Sequence, residues 1–398
     1  MKPQMVIISH VKNRAITDGF VPASLKLGYE VILITDHVSE HKQFFSTVGQ
    51  GPEKILECDI FNPLSIINLI NNYEVKPQVV FSNSDHLQSA CALVADYFNC
   101  PAKNWKICYA AKNKAKMREK LTALNIPTIW SSTYLEGGSL PENINYPVIA
   151  KPQEGVSSMD VTMCHNSSEL RDYQNKIAKK NVPILLESYL DGPLFTLETL
   201  GDGTQITAIG GFDVTLSDLP HFIEIGAVWN GPNSVLYREE ALKQVQKFGV
   251  NFGVCHSEFI LTANGPVLVE INYRSIGDGR EFLLNKLLPF DWFEKIIRLH
   301  AGEKLNDIDI ESKCGLIKYF TNTVNGFLVK SPSTFDVQRE SQNISYHAFK
   351  KPGHNLVVTH SNKDYLGMLT AIGDTTEKIQ KEADEVAKEL NWEITNAG

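Results

Sequence analysis

The chain has 398 residues, of which 43% are hydrophobic and 21% are charged, and its formal net charge is −8. This balance is typical of globular domains with buried cores, and it excludes a disordered or fibrous chain. Nucleic acid is not expected as the main partner, because phosphate backbones require a basic face.

Seven cysteines are scattered through the chain without a CxxC pair. We therefore expect reduced thiols in a cytoplasmic protein rather than a disulfide framework or a zinc site. No apolar run reaches the ~18 residues of a membrane span, and the N-terminus lacks the layout of a signal peptide. A membrane partner is therefore not expected.

The first hundred residues alternate short apolar runs with helical patterns. Strands are predicted at 5–9, 31–36 and 77–85, and helices at 21–29, 63–73 and 86–99. This alternation predicts a parallel sheet flanked by helices. The loop after the first strand, SHVKNRAITDG, has no GxGxxG fingerprint, which argues against a nicotinamide-dependent dehydrogenase.

The rest of the chain mixes helices with strands that are mostly antiparallel. A basic helix is predicted over 113–127, a capped helix over 167–181 and a long helix over 281–303. The predicted fold is multi-domain, α/β and then α+β. Its segments are an N-terminal α/β domain (1–112), a small lid (113–190), a central antiparallel domain (191–304) and a C-terminal α+β domain (305–398).

The stretch SEFILTANGPVLVEINYR, residues 257–274, places glutamates inside two otherwise apolar runs. Its turn predicts a three-residue hairpin loop in which Thr262 pairs with Pro266, so that residues whose numbers sum to 528 face one another. Glu258 then lies opposite Glu270, with Cβ atoms about 4.5–5.5 Å apart.

The same register places His256 opposite Asn272 and brings Arg274 onto the face that carries both glutamates. Facing carboxylates repel, and Mg²⁺ with its preference for hard oxygen ligands would compensate. Two such ions could share Glu270, with Arg274 holding a phosphate oxygen. Taken alone, the hairpin is equally compatible with an acidic face in water.

Three further features lie upstream of the hairpin. Lys114 opens a helix, and Lys151 ends the strand YPVIAK just before a loop rich in Gly and Ser. A lysine and a loop of this kind can hold phosphates. Glu187 ends the run VPILLE before a bend whose free backbone groups suit an adenine edge. Each feature alone is also typical of a surface position, and for Lys151 taken alone an exposed lysine at a strand end is the favoured interpretation.

In this order, the features resemble the ATP-grasp superfamily, in its carboxylate–amine ligase branch of L-amino-acid ligases and carboxylase-like enzymes. The most specific pieces are VLVEINYR and PVIAKPQEGVSSMDV, and RSIGDGREFL looks like a further segment of that branch. The resemblance implies an ATP-grasp fold, with a parallel α/β domain before it and a β-rich element closing the site. It also implies ATP and two Mg²⁺ ions, for which Mn²⁺ would substitute.

The resemblance further implies a role for each matching residue. The expected ATP contacts are Lys114, Lys151, Gly155, Ser157, Ser158, Glu187 and Leu190, with Glu198 replacing a ribose-binding glutamate that is absent at Leu194. The expected metal ligands are Glu258, Glu270 and Asn272, and the expected catalytic residues are Arg274 and Lys151. The expected substrate contacts are Glu224, His256, Gly277 and Asp278, with Lys351 and His354 from the tail as further candidates. Asp160 stands where the family often has glycine.

The implied reaction is amide formation from a small carboxylic acid and an amine. The expected substrates are amino acids or similar acids of dipeptide or siderophore-type metabolism. ADP and phosphate would leave, and a homodimer is one expected assembly. A carboxylase-like or formyl-phosphate-type enzyme of nucleotide metabolism and a nucleotide-binding module without catalysis stay open as alternatives.

Overall fold

The computed structural model describes residues 2–134, 140–141, 143–154, 159–178, 182–306, 308, 310, 313–339 and 342–396. None of the helices within these ranges is long and apolar enough to cross a membrane. All seven cysteines carry free thiols, as expected from their spacing.

The N-terminal segment is a parallel sheet with helices packed against it. Its elements are β1 (Gln4–Ile8), α1 (Val21–Lys26), β2 (Glu30–Thr35), α2 (Val38–Phe45), β3 (Lys54–Glu57), α3 (Pro63–Asn72), β4 (Pro77–Phe81), α4 (Gln88–Tyr97) and α5 (Trp105–Lys112). The strand order is β3-β2-β1-β4, and all pairs are parallel. The predicted parallel sheet is confirmed, although the short edge strand β3 was not anticipated.

A smaller layer follows, with one antiparallel sheet and a covering helix. Its elements are α6 (Lys114–Ala123), β5 (Ser131–Tyr134), β6 (Val148–Pro152), β7 (Thr162–Cys164), α7 (Ser167–Ala178) and β8 (Ile184–Ser188). The strand order is β5-β8-β6-β7, and α7 buries Leu170, Tyr173 and Ile177 against this sheet. The Asn113 side chain caps α6 by accepting from the Lys116 N–H, which fixes the start of the helix that carries Lys114.

The central segment contains the hairpin predicted from the sequence. Its elements are β9 (Leu194–Asp202), β10 (Ile206–Gly210), β11 (Phe212–Leu216), β12 (Glu224–Trp229), α8 (Pro232–Leu236), α9 (Arg238–Phe248), β13 (Phe252–Thr262), β14 (Gly265–Asn272), α10 (Arg280–Leu287) and α11 (Trp292–His300). The single long helix expected over 281–303 is wrong. Pro289 lies in the break between α10 and α11, where it cannot continue a helix.

The tail adds strands to the central sheet. Its elements are β15 (Cys314–Thr321), β16 (Gly326–Lys330), β17 (Phe335–Arg339), β18 (Gln342–Ala348), β19 (Asn355–Leu356), β20 (Tyr365–Gly373), α12 (Thr376–Glu389) and β21 (Glu393–Asn396). The main path of the large sheet runs β14-β13-β9-β11-β12-β15-β20-β18-β17, with β10 beside β9. The hydrogen-bonded layer therefore continues across the predicted boundary at residue 304.

One hydrophobic core joins the parallel sheet to the central sheet. Trp292 of α11 is fully buried, and the ring of Phe293 packs edge-on against Phe20 at 5.0 Å between centroids. The indole N–H of Trp292 donates to the hydroxyl of Ser275 at 2.9 Å. The core therefore anchors the segment that follows Asn272 and Arg274.

The close approach of two strands at Gly211 predicts a loss of stability on substitution. A Cβ built at Gly211 would lie 2.0 Å from the carbonyl oxygen of Thr196, a backbone atom that cannot move cheaply. Gly211→Ala is expected to lower the free energy of unfolding by about 1–3 kcal/mol, measured by urea denaturation. The control is Gly277→Ala, whose Cβ would meet nothing closer than 3.8 Å. Equal stability of the two variants would contradict this packing.

Candidate active site

The hairpin of β13 and β14 brings the two glutamates together as the sequence predicts. Glu258 pairs with Glu270, and His256 pairs with Asn272. The turn is one residue shorter than expected, because Thr262 pairs with Gly265 rather than Pro266. A bulge between Glu258 and Phe259 restores the predicted register at the functional end.

A second row of polar residues crosses from β9 to the hairpin. Glu198 of β9 pairs with His256, whose Nδ1 lies 2.7 Å from the Glu198 carboxylate. The other ring nitrogen lies 3.3 Å from the Glu258 carboxylate. Although burial lowers it, these two carboxylates raise the pKa of His256 to about 9. His256 is therefore a cation at neutral pH that offsets the charge of Glu258.

The second glutamate has its own cation. The Lys114 ammonium lies 3.1 Å from the Glu270 carboxylate, and Lys114 is itself buried. Asn272 donates its amide to Glu258 at 3.3 Å, so that its carbonyl oxygen faces Arg274 at 3.5 Å. The Arg274 guanidinium also donates to the Ser275 carbonyl at 2.8 Å, which fixes its direction.

Glu187 lies in a buried ionic cluster that the sequence did not suggest. Its carboxylate is paired with Lys151 from the neighbouring strand β6 and accepts from Arg118 Nε of α6 at 2.6 Å. Burial raises the pKa of Glu187, but the charges and hydrogen bonds of Lys151 and Arg118 outweigh this effect and lower the pKa to about 2. Because the Glu187 carboxylate is paired with two cations, a contact between Glu187 and adenine would be made by the backbone of Glu187.

Arg118 is a residue that the sequence analysis missed. Its guanidinium also donates to the carbonyls of Leu268 and Val269 in β14, at 3.1 and 2.7 Å. One side chain thus links α6, the lid strand β8 and the glutamate hairpin. Its spacing could have indicated this role. Arg118 lies four residues after Lys114, and residues four apart share a helix face, so both cations are expected on the same side of α6.

A largely apolar cavity of about 360 Å³ lies between the lid and the central sheet. The predicted residues on its walls are Lys114, Lys151, Glu187, Leu190, Glu224, Glu258 and Glu270. Leu216 and Phe222 contribute apolar wall on the side of the β11–β12 connection. Leu194, at the position where a ribose-binding glutamate was expected, is also a wall residue.

The expectation that Glu198 replaces this glutamate is not supported. Glu198 is fully buried, and its carboxylate is engaged by His256 and the Thr196 hydroxyl. It lies four residues along β9 from Leu194, a distance of about 13 Å on an extended strand. It does not line the cavity and acts on the site through His256.

A second, strongly polar chamber of about 110 Å³ adjoins the first. Its walls are Glu224, His256, Glu258, Glu270, Asn272, Arg274, Gly277, Asp278, Arg280 and Asn362. All the expected metal ligands and substrate contacts are therefore brought together here. Arg280 and Asn362 were not anticipated, because their contacts cross between distant segments of the chain.

Arg280 and Glu224 form an ion pair within this chamber. Arg280 Nη2 lies 2.5 Å from the Glu224 carboxylate, while its Nε and Nη1 are buried without a hydrogen-bond partner among the described residues. Burial raises the pKa of Glu224 despite this pairing. The chamber thus holds polar groups whose hydrogen-bonding capacity is not filled by the protein.

Gly155, Ser157 and Ser158 of the expected phosphate loop lie outside the described residues. Asp160, just after them, has φ +56°, a left-handed conformation that Asp tolerates better than most residues. Of the two neighbouring lysines of the tail, Lys350 lines a cavity beside the site and Lys351 does not, and His354 is exposed.

Residues 111–278 match a family described as the ATP-grasp domain, ATP-grasp_3. The chain contains an ATP-grasp domain. All of the site residues predicted from the motifs between Lys114 and Asp278 fall within the matched range.

Relatives of this chain are distant in sequence. The uncharacterized protein y4rH of Sinorhizobium fredii is 23% identical over 341 residues, covering 79% of this chain and 68% of that protein. The structure of L-amino acid ligase from Bacillus licheniformis has a TM-score of 0.81 at 18% identity, over 99% of both chains. The biotin carboxylase domain of Hydrogenobacter thermophilus 2-oxoglutarate carboxylase, in complex with MgADP, ADP and bicarbonate, has a TM-score of 0.71 at 16% identity, over 99% of this chain and 91% of that one. At these identities the structural likenesses establish a shared ATP-grasp fold.

The ionic cluster at Glu187 predicts a pH-dependent contribution to stability. Because its pKa is lowered from 4.5 to about 2, its contribution is complete above pH 4.5 and is lost as the pH falls towards 2. Glu187→Gln is expected to cost about 3 kcal/mol at neutral pH, since two buried cations lose their partner. The difference from the parent protein should shrink between pH 4.5 and 2, measured by urea unfolding at each pH.

The control for this prediction is Glu119→Gln, which removes an exposed carboxylate from α6, the helix that carries Arg118. Its effect on the free energy of unfolding should stay within about 0.5 kcal/mol. A Glu187→Gln deficit that does not change between pH 4.5 and 2 would contradict the ionised cluster.

Proposed function

We propose that this ATP-grasp protein is an ATP-dependent ligase that joins a small carboxylic acid to an amine through an acyl phosphate. The observation that carries the proposal is a continuous path of cavities. Glu224, Glu258 and Glu270 border both the apolar cavity and the polar chamber. Arg274, Gly277, Asp278 and Asn362 border both that chamber and a third cavity beyond it. A nucleotide, a phosphoryl-transfer centre and a substrate can thus be accommodated in line.

The polar chamber suits divalent cations of the magnesium type. Glu258, Glu270 and Asn272 offer two carboxylates and one amide oxygen, which are hard ligands of the kind that Mg²⁺ prefers. In the protein alone, His256 and Lys114 neutralise these same carboxylates. We propose that the three residues hold two Mg²⁺ ions with ATP bound, and these ions would neutralise the charge of the transferring phosphate.

The apolar cavity suits the nucleotide. Leu190, Leu216 and Phe222 provide apolar surface for the adenine base, and the Leu190 backbone lies next to the end of β8. Lys114 and Lys151 reach the cavity wall between this surface and the chamber, and we assign both to the phosphates. Lys151 also links the nucleotide to the lid, because it is paired with Glu187.

The proposed reaction has two steps. A carboxylate oxygen of the acid attacks the γ-phosphorus, the bond to the β-phosphate oxygen breaks, and ADP leaves. The amine then attacks the acyl carbon, loses a proton and expels inorganic phosphate, leaving an amide. Arg274 borders the chamber where the acyl phosphate would form, and its guanidinium is suited to holding the phosphate oxygens.

Glu224 is our candidate for the amine. Its carboxylate faces both the apolar cavity and the polar chamber, and in the free protein it is paired with Arg280. An ammonium entering the chamber would compete with Arg280 for this carboxylate, which accepts hydrogen bonds only when it is ionised. Gly277 and Asp278 complete the wall on the side of the acid.

The test is phosphate release from Mg·ATP with amino acids, polycarboxylic acids and bicarbonate, offered singly and in pairs with amines. The proposal expects release that depends on one acid and one amine together, with a product mass equal to their sum minus water. Release with bicarbonate and an amine would instead favour a carboxylase-like reaction. ATP binding without release from any combination would favour a binding module.

Removal of one carboxylate charge from the metal site is expected to reduce turnover sharply. Glu270→Gln should lower kcat by about 10²–10³-fold, because charge stabilisation in the transition state is lost, while circular dichroism stays unchanged. Glu239→Gln, an exposed glutamate of α9, is the matched control and should be fully active. Near-normal turnover of Glu270→Gln would overturn the metal assignment.

Arg274 is expected to act on the chemical step rather than on nucleotide affinity. Arg274→Ala should lower kcat by about 10²-fold or more and change the Kd of Mg·ATP by less than about twofold, measured by calorimetry. If kcat and ATP affinity fall together, Arg274 is a nucleotide contact and its proposed role is wrong.

A further inference from the structure

A third cavity, of about 410 Å³, opens from the polar chamber on the side away from the apolar cavity. It is bounded by the loop after β1, the segment that follows β14, and the tail. Its shared wall with the chamber is formed by Arg274, Gly277, Asp278 and Asn362. The part of the acid that does not react would lie in this outer cavity.

Four cations line the outer cavity: Arg274 on the wall shared with the chamber, Arg14 near the start of the chain, and Lys350 and Lys363 in the tail. Among the residues that the structure describes, no carboxylate lies within 4 Å of either lysine ammonium. Arg14 Nε lies 3.3 Å from Asp18, but its Nη1 is buried and finds no hydrogen-bond partner in the described part of the chain. These cations are gathered on a protein whose net charge is −8.

The carboxylates on the same walls do not balance these cations. Asp278 accepts from the Asn362 amide at 3.3 Å. Glu281 is buried and accepts from the Gly279 N–H at 3.0 Å, and burial raises its pKa to about 7. Because four cations and only two carboxyl groups line the cavity, the walls carry an excess of positive charge even when both carboxyl groups are ionised.

The cationic wall is partly fixed before any ligand binds. The Arg14 guanidinium lies over the ring of Phe282 at 4.4 Å from its centroid, a contact that holds it in one direction. Phe349 and Tyr365 add aromatic surface to the walls of the same cavity. Gathering like charges costs free energy, and a bound anion would relieve that cost.

We propose that the acid substrate carries a second anionic group, a carboxylate or a phosphate, which binds Arg14, Lys350 and Lys363 in the outer cavity. This inference rests on the proposed ligase function. The reacting carboxylate lies in the polar chamber beside Arg274, and the rest of the molecule extends past Gly277 and Asn362 into the outer cavity. The substrate class is thus a dianionic acid rather than an acid with a neutral side chain.

The experiment compares acids that differ only in the second charge. Succinate is paired with succinamate, and O-phospho-L-serine with L-serine, each with Mg·ATP and a panel of amines. Phosphate release gives kcat and KM, and calorimetry in the absence of ATP gives direct binding. The two dianions separate the sources of charge, since a carboxylate site favours succinate and a phosphate site favours phosphoserine.

Substitution of the cavity lysines tests the residues. Lys350→Gln and Lys363→Gln are each expected to raise the KM and the Kd of the preferred dianion by about tenfold, the loss of one charged contact, with kcat changed by less than about twofold. The matched control is Lys351→Gln, because Lys351 is the next residue, is exposed and does not line the cavity. It should leave KM and Kd unchanged.

The outcomes separate this inference from the proposed function. Turnover of neutral and dianionic acids at equal KM, unaffected by the lysine substitutions, would overturn the dianionic substrate and retain the ligase. Lysine-dependent binding of a dianion without phosphate release from any combination would retain the anion site and overturn the ligase. Neither binding nor release with any acid would overturn both.

Discussion

The site depends on one electrostatic constraint, the opposition of Glu258 and Glu270 across two hydrogen-bonded strands. Strand pairing fixes the two backbones, so both side chains stay on the same face of the hairpin and close to each other. Each carboxylate is paired with its own cation, Glu258 with His256 and Glu270 with Lys114, and this pairing offsets the repulsion. Glu198 holds the imidazole of His256 in place, because its carboxylate is hydrogen-bonded to Nδ1 of that ring. Helix α6 supplies the second cation, so its position follows from the same constraint.

Helix α6 also connects the hairpin to the lid. Its Arg118 side chain binds two carbonyls of β14 and the carboxylate of Glu187, whose other partner is Lys151. A buried network in which every member has a partner is rigid, and removal of one member leaves the others uncompensated. Lys151, which we assign to the phosphates, is thus held by Glu187 on the cavity wall and, through Glu187, by Arg118, which does not line the cavity.

Much of the fold and the central pair of the site could be read from sequence because both rest on local patterns. Alternation of short apolar runs with helical patterns predicted β1, β2 and β4, and the hairpin turn placed Glu258 opposite Glu270. That register came out right although the turn was misjudged, because the bulge beside Phe259 cancels the error. The broken helix of α10 and α11 was missed because both halves continue one hydrophobic pattern.

The remaining features depend on contacts between distant parts of the chain. Arg118 and Arg280 look like ordinary helix residues until their partners Glu187 and Glu224 are located. Glu198 was assigned to ribose by its nearness in sequence to Leu194, whereas the extended strand carries it to His256. The grouping of Arg14 with Lys350 and Lys363 spans almost the whole chain, so no sequence window contains it.

The continuity of the large sheet has a consequence for how the chain folds during synthesis. Strand β12, which begins with Glu224, is hydrogen-bonded on one side to β11 and on the other to β15. Until β15 and β20 have been synthesised, β12 is an open edge with unpaired backbone groups, a surface prone to aggregation. The last quarter of the chain therefore completes the sheet as well as the cavity wall, and a truncated or chimeric protein that lacks it would expose an edge strand beside the reaction chamber.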